Sequence, residues 1–379
     1  MNEKNLKDII DVNQTERTKA SKEVKALIKW MIERLPLNNP KGDYAKVVGD
    51  LFNNYLKRLA ESQEEDIAYI FPNGSKEYYM EILNGYCDSI KQIIQLYSEG
   101  RGYAAFEKFK DLMSDEKGLW GCLRRKVDCG KHNLYRLRKL APSSSITKEE
   151  MFHIPLNCRG KVASQRYSAP GYPCLYLGYS INACWEELGR PALNSFMVVS
   201  VAQQHDIKII DLSIPSGIAD FKWQEDVWKF IMSYPFIVAC SVKVSDTNNT
   251  YKEEYIIPQM LTNYVIEQNT LNRKEIILFD EITAIKYTST HYNRQFGWDR
   301  KYFTNLAIPV INISSPTKYC PDLCKLYHLS TPTCVEYEQI SGNLTQEKRY
   351  TPFDKYYYSL WGRLEQTLSN RPVQEINNK

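Results

Sequence analysis

The chain has 379 residues, 43% hydrophobic and 25% charged, which is enough apolar material for a sizeable core and a length that suits two domains. A formal net charge of +4 is too small for a whole-molecule nucleic-acid footprint, and no apolar run approaches the length of a membrane span or, near the N-terminus, of a signal peptide. Ten cysteines lie mostly inside apolar segments, as at Cys174, Cys184 and Cys240, which predicts reduced, buried thiols in a cytoplasmic protein rather than a disulfide framework.

Residues 1–20 read as a flexible, charged N-terminus, and residues 21–130 as a helical bundle. Val24, Leu27, Ile28, Met31 and Leu35 form an apolar stripe that Pro36 ends. A second stripe runs through Tyr44, Val47, Val48, Leu51, Phe52, Tyr55 and Leu59. A third, within Ser75–Glu99, carries Tyr78, Tyr79, Ile82, Leu83, Tyr86, Ile90, Ile93, Ile94 and Tyr97, and Phe106, Phe109 and Met113 suggest a fourth. Such stripes bury one another, so their aromatics are expected in a core. From Lys117 to Lys139 the chain is basic, with Asp128 as its one carboxylate. That segment reads either as a local anion site or as a solvated basic helix face.

After Leu140 the texture changes to short β-rich runs. Pro173–Gly178, Phe196–Val201, Ile207–Leu212, Phe236–Val242, Tyr255–Ile257, Glu275–Phe279 and Thr283–Tyr287 are predicted strands, with helices over Ile181–Leu188 and Pro258–Gln268. An α+β domain over residues 131–315 follows. It has no G-x-G-x-x-G or P-loop sequence, so a dinucleotide here would not be held in Rossmann fashion. Residues 316–379 read as a C-terminal extension, disordered beyond Leu368. Cys320, Cys324, His328 and Cys334 are zinc-type ligands, but their spacing is not that of a common finger or ribbon and Pro321 interrupts a helix. The expectation is thiols without metal.

Five segments carry the chemistry: Leu134-Tyr135-Arg136, Arg166-Tyr167-Ser168-Ala169-Pro170-Gly171, Cys174-Leu175-Tyr176-Leu177-Gly178, Ala183-Cys184-Trp185-Glu186-Glu187 and Ile285-Lys286-Tyr287-Thr288-Ser289. They offer guanidiniums whose forks meet phosphate bidentately, an aromatic ring, a carboxylate and a hydroxyl. In this order they resemble the RES family, named for its Arg, Glu and Ser: bacterial toxins of ADP-ribosyltransferase-like fold that consume NAD+ or transfer from it. The resemblance spans roughly residues 133 to 290. It extends to Ile209-Ile210-Asp211-Leu212 and Tyr255-Ile256-Ile257-Pro258-Gln259, and departs at Ser164-Gln165 and Ala284, where the family often has glycine.

The resemblance implies that Arg136 and Arg166, with Tyr167, bind the pyrophosphate of NAD+, and that Tyr176 faces the nicotinamide or its ribose. Glu187, or its neighbour Glu186, would stabilise the oxocarbenium-like ribose, and Ser289 would contact substrate rather than act as nucleophile. Gln259 would contact ligand or serve as a cap. Read without the resemblance, the same residues are a structural ion pair at Arg166, a core tyrosine at Tyr176, solvated helix glutamates and a turn serine. The implied activity is cleavage of the nicotinamide–ribose bond by water or phosphate, without a metal, restrained by an antitoxin or an activating trigger and often in a dimer. One alternative is ADP-ribose transfer to a protein or nucleotide. Another is an RNA-directed protein, because Arg125 and His132 have the Arg-x6-His spacing of helical HEPN ribonucleases.

Overall fold

The protein is described from a computed structural model covering residues 20–378 apart from 116–117, 132, 141–145, 272–281, 293–296, 312–316 and 345–354. The strand predicted over Glu275–Phe279, His132, and the first 19 residues lie outside the described residues.

Side-chain caps start the first helices: Ser21, Asp43 and Ser75 accept from the amides of Val24, Lys46 and Tyr78. They open α1 (Lys22–Glu33), α2 (Tyr44–Glu61) and, after the short α3 (Glu64–Ile70), α4 (Lys76–Ser98). Helices α5 (Gly102–Met113) and α6 (Leu119–Leu123) follow. The predicted stripes are largely the buried faces, but Val47, Ile82, Tyr86, Tyr97 and Phe106 are only partly buried and Tyr78 is 56% exposed. The remaining elements are β1 (Arg124–Val127), β2 (Leu134–Lys139), β3 (Cys174–Gly178), α7 (Ile181–Glu187), β4 (Phe196–Gln203), β5 (Ile207–Leu212), α8 (Gln224–Cys240) and α9 (Ile256–Leu271). After these come β6 (Ile282–Thr288), β7 (Thr304–Pro309), α10 (Pro321–Leu326), β8 (Tyr327–Ser330), α11 (Val335–Ile340), α12 (Leu360–Ser369) and β9 (Val373–Gln374). The fold class is α+β.

The chain divides into two compact units, one of residues up to Leu123 with Ile214–Ile257, the other of Arg124–Ser213 with Pro258 onward. The sheet unit is therefore not the single span 131–315: its sequence is interrupted by a segment of the helical unit, and it takes in residues after 315. The strand predicted over Phe236–Val242 is corrected by α8. Every residue of α8 from Phe230 to Cys240 is buried, so the helix has no polar face, and an all-round apolar run cannot be told from a buried strand by periodicity. Pro235 sits inside this helix and cannot donate to the Ile231 carbonyl. The Tyr55 hydroxyl of α2 donates to that carbonyl instead, at 2.8 Å. Tyr44 and Tyr234 donate to the carbonyls of Ala239 and Met31, so three tyrosines tie α1 and α2 to α8. Tyr255–Ile257, also predicted as strand, is a 3-10 turn leading into α9.

The second unit is built on a nine-stranded sheet of order β1-β5-β6-β7-β3-β2-β4-β8-β9, antiparallel except between β5 and β6. One face packs Leu175, Leu177, Val199, Leu306 and Ile308 against Phe152, Tyr319 and Leu323. On the other, Tyr135, Leu137, Phe196 and Val198 meet Ile181 of α7 and Trp361 and Leu364 of α12. The pairing of β2 with β3 is a single residue pair, Tyr135 opposite Gly178, so the sheet opens along this seam.

The basic segment is not a helix face. Arg124, Arg125 and Lys126 form β1, with Lys126 paired to Asp206 at 2.7 Å, and Lys131 lies 3.5 Å from Asp128. Arg125 on a strand departs from the helical HEPN arrangement. Nor are the residues after Leu368 disordered: β9 pairs with β8, Ile376 is 3% exposed in the core, and the Asn378 side chain bonds both backbone groups of Tyr319. The buried Ile376, the strand pairing and the Asn378 bonds together dock the tail. None of the ten cysteines forms a disulfide. Of the four zinc-type residues, the buried Cys320 precedes α10, the buried Cys324 lies within it, His328 lies in β8 and Cys334 precedes α11. Among the described residues no group of three or more His, Cys, Asp or Glu side chains gathers as for a metal ion. Among the same residues, no helix is long and apolar enough to cross a membrane.

Candidate functional site

Gln165 and Ser168 exchange backbone hydrogen bonds at 2.8 and 3.1 Å, a tight hairpin whose two tip residues are Arg166 and Tyr167. The Gln259 side-chain amide, at the start of α9, donates to Ser164 Oγ and to the Gln165 and Ser168 carbonyls, at 3.0, 2.8 and 3.3 Å. Gln259 therefore holds the hairpin. Gly171, with φ +82°, completes the turn in a conformation that glycine adopts without strain. Tyr167 is buried, its carbonyl accepts from Thr262 Oγ1, and its ring lies 4.6 Å from that of Tyr287.

Strand register brings the next groups together. Tyr176 is opposite Ala307, while Asn305 of β7 lies between Gly178 of β3 and Tyr287 of β6, so these side chains share one face. Gly178 leaves room there for α7: a Cβ at this position would lie 2.6 Å from Cys184 Sγ and 2.7 Å from the Ser180 carbonyl. Ser180 caps the helix through Ala183 N, and the Glu365 carboxylate of α12 accepts from Ile181 N at 2.6 Å and from Tyr356 Oη at 2.5 Å.

Thus fixed, α7 turns its two glutamates apart. Glu186 is buried and paired with Arg190 at 2.8 Å. Glu187 is exposed and accepts from Asn305 Nδ2 at 2.9 Å, over the sheet face that bears the tyrosines. Burial pushes the Tyr287 hydroxyl well above its ordinary range, and Glu187, Tyr176 and Tyr167 add to the shift while Arg166 opposes it. Tyr176 is raised well above its ordinary range too, by burial, Cys174 and Glu187, against the Tyr167 backbone and the Ser168 side chain. Both hydroxyls stay protonated at neutral pH.

Arg136 occupies the open seam. Its Nη1 donates to the Tyr176 carbonyl at 2.7 Å, and its buried Nε has no partner among the described residues. Burial lowers it to about 10, with the Cys184 thiol on one side raising it and Arg138 lowering it, so it stays cationic. Ser289 differs from its expected role: it is fully buried, and its Oγ accepts from His291 N at 3.1 Å, closing a turn. Its neighbour Thr290 reaches the site instead, with Arg166 Nη2 3.4 Å from Thr290 Oγ1.

The structure therefore brings together Arg166, Tyr167, Tyr176 and Glu187, sets Arg136 at the adjoining seam, and withdraws Ser289 and Gln259 into support. Tyr287 and Asn305 join the group without having been singled out from the sequence. Asn305 had left a signal, as a polar residue within an apolar strand. An exposed carboxylate over a floor of neutral tyrosines, beside guanidiniums, can stabilise a developing cation and hold an anionic ligand.

No family model matches the chain, and no solved structure is similar to it. The chain is 30% identical to the protein named Putative toxin YopC of Bacillus subtilis (strain 168), over 97% of its own length and 88% of the relative's. It belongs to the YopC family. Because the similarity to YopC runs through both units, it covers the helical unit as well as the sheet that carries the site.

Proposed function

We propose that this YopC-family chain is a toxin that cleaves the nicotinamide–ribose bond of NAD+, with its sheet unit acting as an RES-type domain of ADP-ribosyltransferase-like fold. The observation that carries this reading is Glu187, tethered by Asn305 over Tyr176 and Tyr287 and beside Arg166. The printed name of the relative, Putative toxin YopC, agrees with a toxin role.

In the reaction the bond between ribose C1 and the pyridinium nitrogen breaks, and its electron pair leaves with nicotinamide. An oxygen of water or phosphate forms the new bond at C1 and gives its proton to solvent. Glu187 stabilises the positive charge that develops on the ribose, and the protonated Tyr176 and Tyr287 hydroxyls bind sugar or nicotinamide. Arg166 and Arg136 take the pyrophosphate. Arg136 is a partly buried cation with no carboxylate partner among the described residues, and an anionic ligand would compensate it. A toxin of this activity needs restraint, from an antitoxin or from a trigger that activates it.

The test is incubation of the purified full chain with NAD+ labelled in its adenylate half, with and without phosphate. Nicotinamide with free ADP-ribose indicates hydrolysis, and a phosphorylated ADP-ribose indicates phosphorolysis. Label fixed to a macromolecule would move the reading to transfer. Intact NAD+ after incubation with folded protein, in the presence and absence of a lysate supplying a trigger, would remove it.

A further inference from the structure

The helical unit holds a cavity of about 370 Å³ between α1 and α2, with an apolar floor of Leu37, Val47 and Leu51 and a polar rim. Trp30 of α1 and Arg34, the residue that caps its C-terminal end, line one side, and Asp50, Asn54 and Arg58, at successive turns of α2, line the other. Asn38 of the connecting loop closes it. Both guanidiniums lie against one indole: Arg58 is 4.6 Å and Arg34 5.6 Å from the Trp30 ring centroid. Among the described residues neither arginine has a carboxylate partner. The one acid in the lining, Asp50, is 3.5 Å from Lys46.

This arrangement differs from an ordinary surface ion pair. A guanidinium held by cation–π contact keeps its N–H edge unspent, and a guanidinium fork matches a phosphoryl group with two parallel hydrogen bonds. Two such forks on one cavity bring about two positive charges to one anion. The Asn38 and Asn54 amides supply further polar groups, and the volume lies in the range of small-ligand sites. We propose that this cavity binds a small phosphorylated molecule of mononucleotide size, with Arg34 and Arg58 on its phosphoryl group. The site is independent of the one that carries Glu187.

Isothermal titration of the full chain with inorganic pyrophosphate and with AMP tests the proposal. Expected is a binding event, separate from any at Arg136 and Arg166, that weakens at least tenfold in Arg34→Gln or Arg58→Gln and is lost in the double variant. Thermal unfolding without ligand should be unchanged, because both side chains are exposed. Equal affinity for the two probes supports recognition of the phosphoryl group alone, and tighter AMP supports an added role for the asparagines. Binding whose affinity and stoichiometry are the same in wild type and the double variant belongs wholly to the Arg136 and Arg166 region and overturns the proposal. Absence of binding to both probes at millimolar concentration overturns it as well, including where an oligonucleotide alone binds.

Discussion

Glu186 and Glu187 point about 100° apart on α7, and which one faces the site could not be read from their order. The decision rests on groups distant in sequence: Arg190 takes Glu186, and Asn305 takes Glu187. Arg136 and Tyr176 were legible as a guanidinium and an aromatic ring, but the open seam between β2 and β3 that holds Arg136 depends on pairing that no local pattern encodes. A second buried titratable group, His153, gives a residue-scale prediction. It is 1% exposed, its Nδ1 bonds the Ile154 carbonyl, and its Nε2 accepts from Cys320 N, so the neutral ring fills both positions. Burial lowers it to about 4, with the Ile154 carbonyl opposing and Arg136 reinforcing the shift. The unfolded chain then binds this proton near pH 6.5 while the folded chain does not. Stability is retained above pH 6.5 and falls as pH drops toward 4, by roughly 3 kcal/mol from this group. Urea unfolding followed by fluorescence at pH 7 and pH 4.5 measures it, and the slope should be shallower in His153→Gln.

Among the elements, the amphipathic helices α1, α2 and α4 were legible because each must turn one apolar stripe inward. Helix α8 was misread as containing a strand for the opposite reason, since burial on all sides erases the period. Pro235, just before the predicted strand, is awkward within a helix until its loss of a donor is met from outside. Tyr55 meets it. Replacing Tyr55 by Phe keeps the ring and strands the Ile231 carbonyl in a dry interior, which is expected to cost about 1–3 kcal/mol. The lowering of the chemical-denaturation midpoint measures this cost. An unchanged midpoint would mean that the carbonyl finds another donor.

For the whole molecule, the α+β class and the passage from helices to sheet were legible, whereas the partition was not. Residues Ile214–Ile257 leave the sheet unit and return, an excursion visible only in packing. The polar C-terminal extension also proved integral, because Glu365 caps the helix that bears Glu187 and β9 closes the sheet edge. Deleting residues 370–379 removes that edge pairing, the buried Ile376 and both Asn378 bonds, so it should lower stability by several kcal/mol. A shift of the urea midpoint to lower concentration checks this, and a disordered tail would produce none. The central claim is that Glu187 on α7 stabilises the cleavage of NAD+. The most direct measurement is nicotinamide release by the full chain carrying Glu187→Gln, beside wild type and Glu186→Gln. The account predicts a fall of at least 100-fold for Glu187→Gln with unchanged thermal unfolding, and release retained in Glu186→Gln once its stability is matched. Equal release from wild type and Glu187→Gln would contradict it.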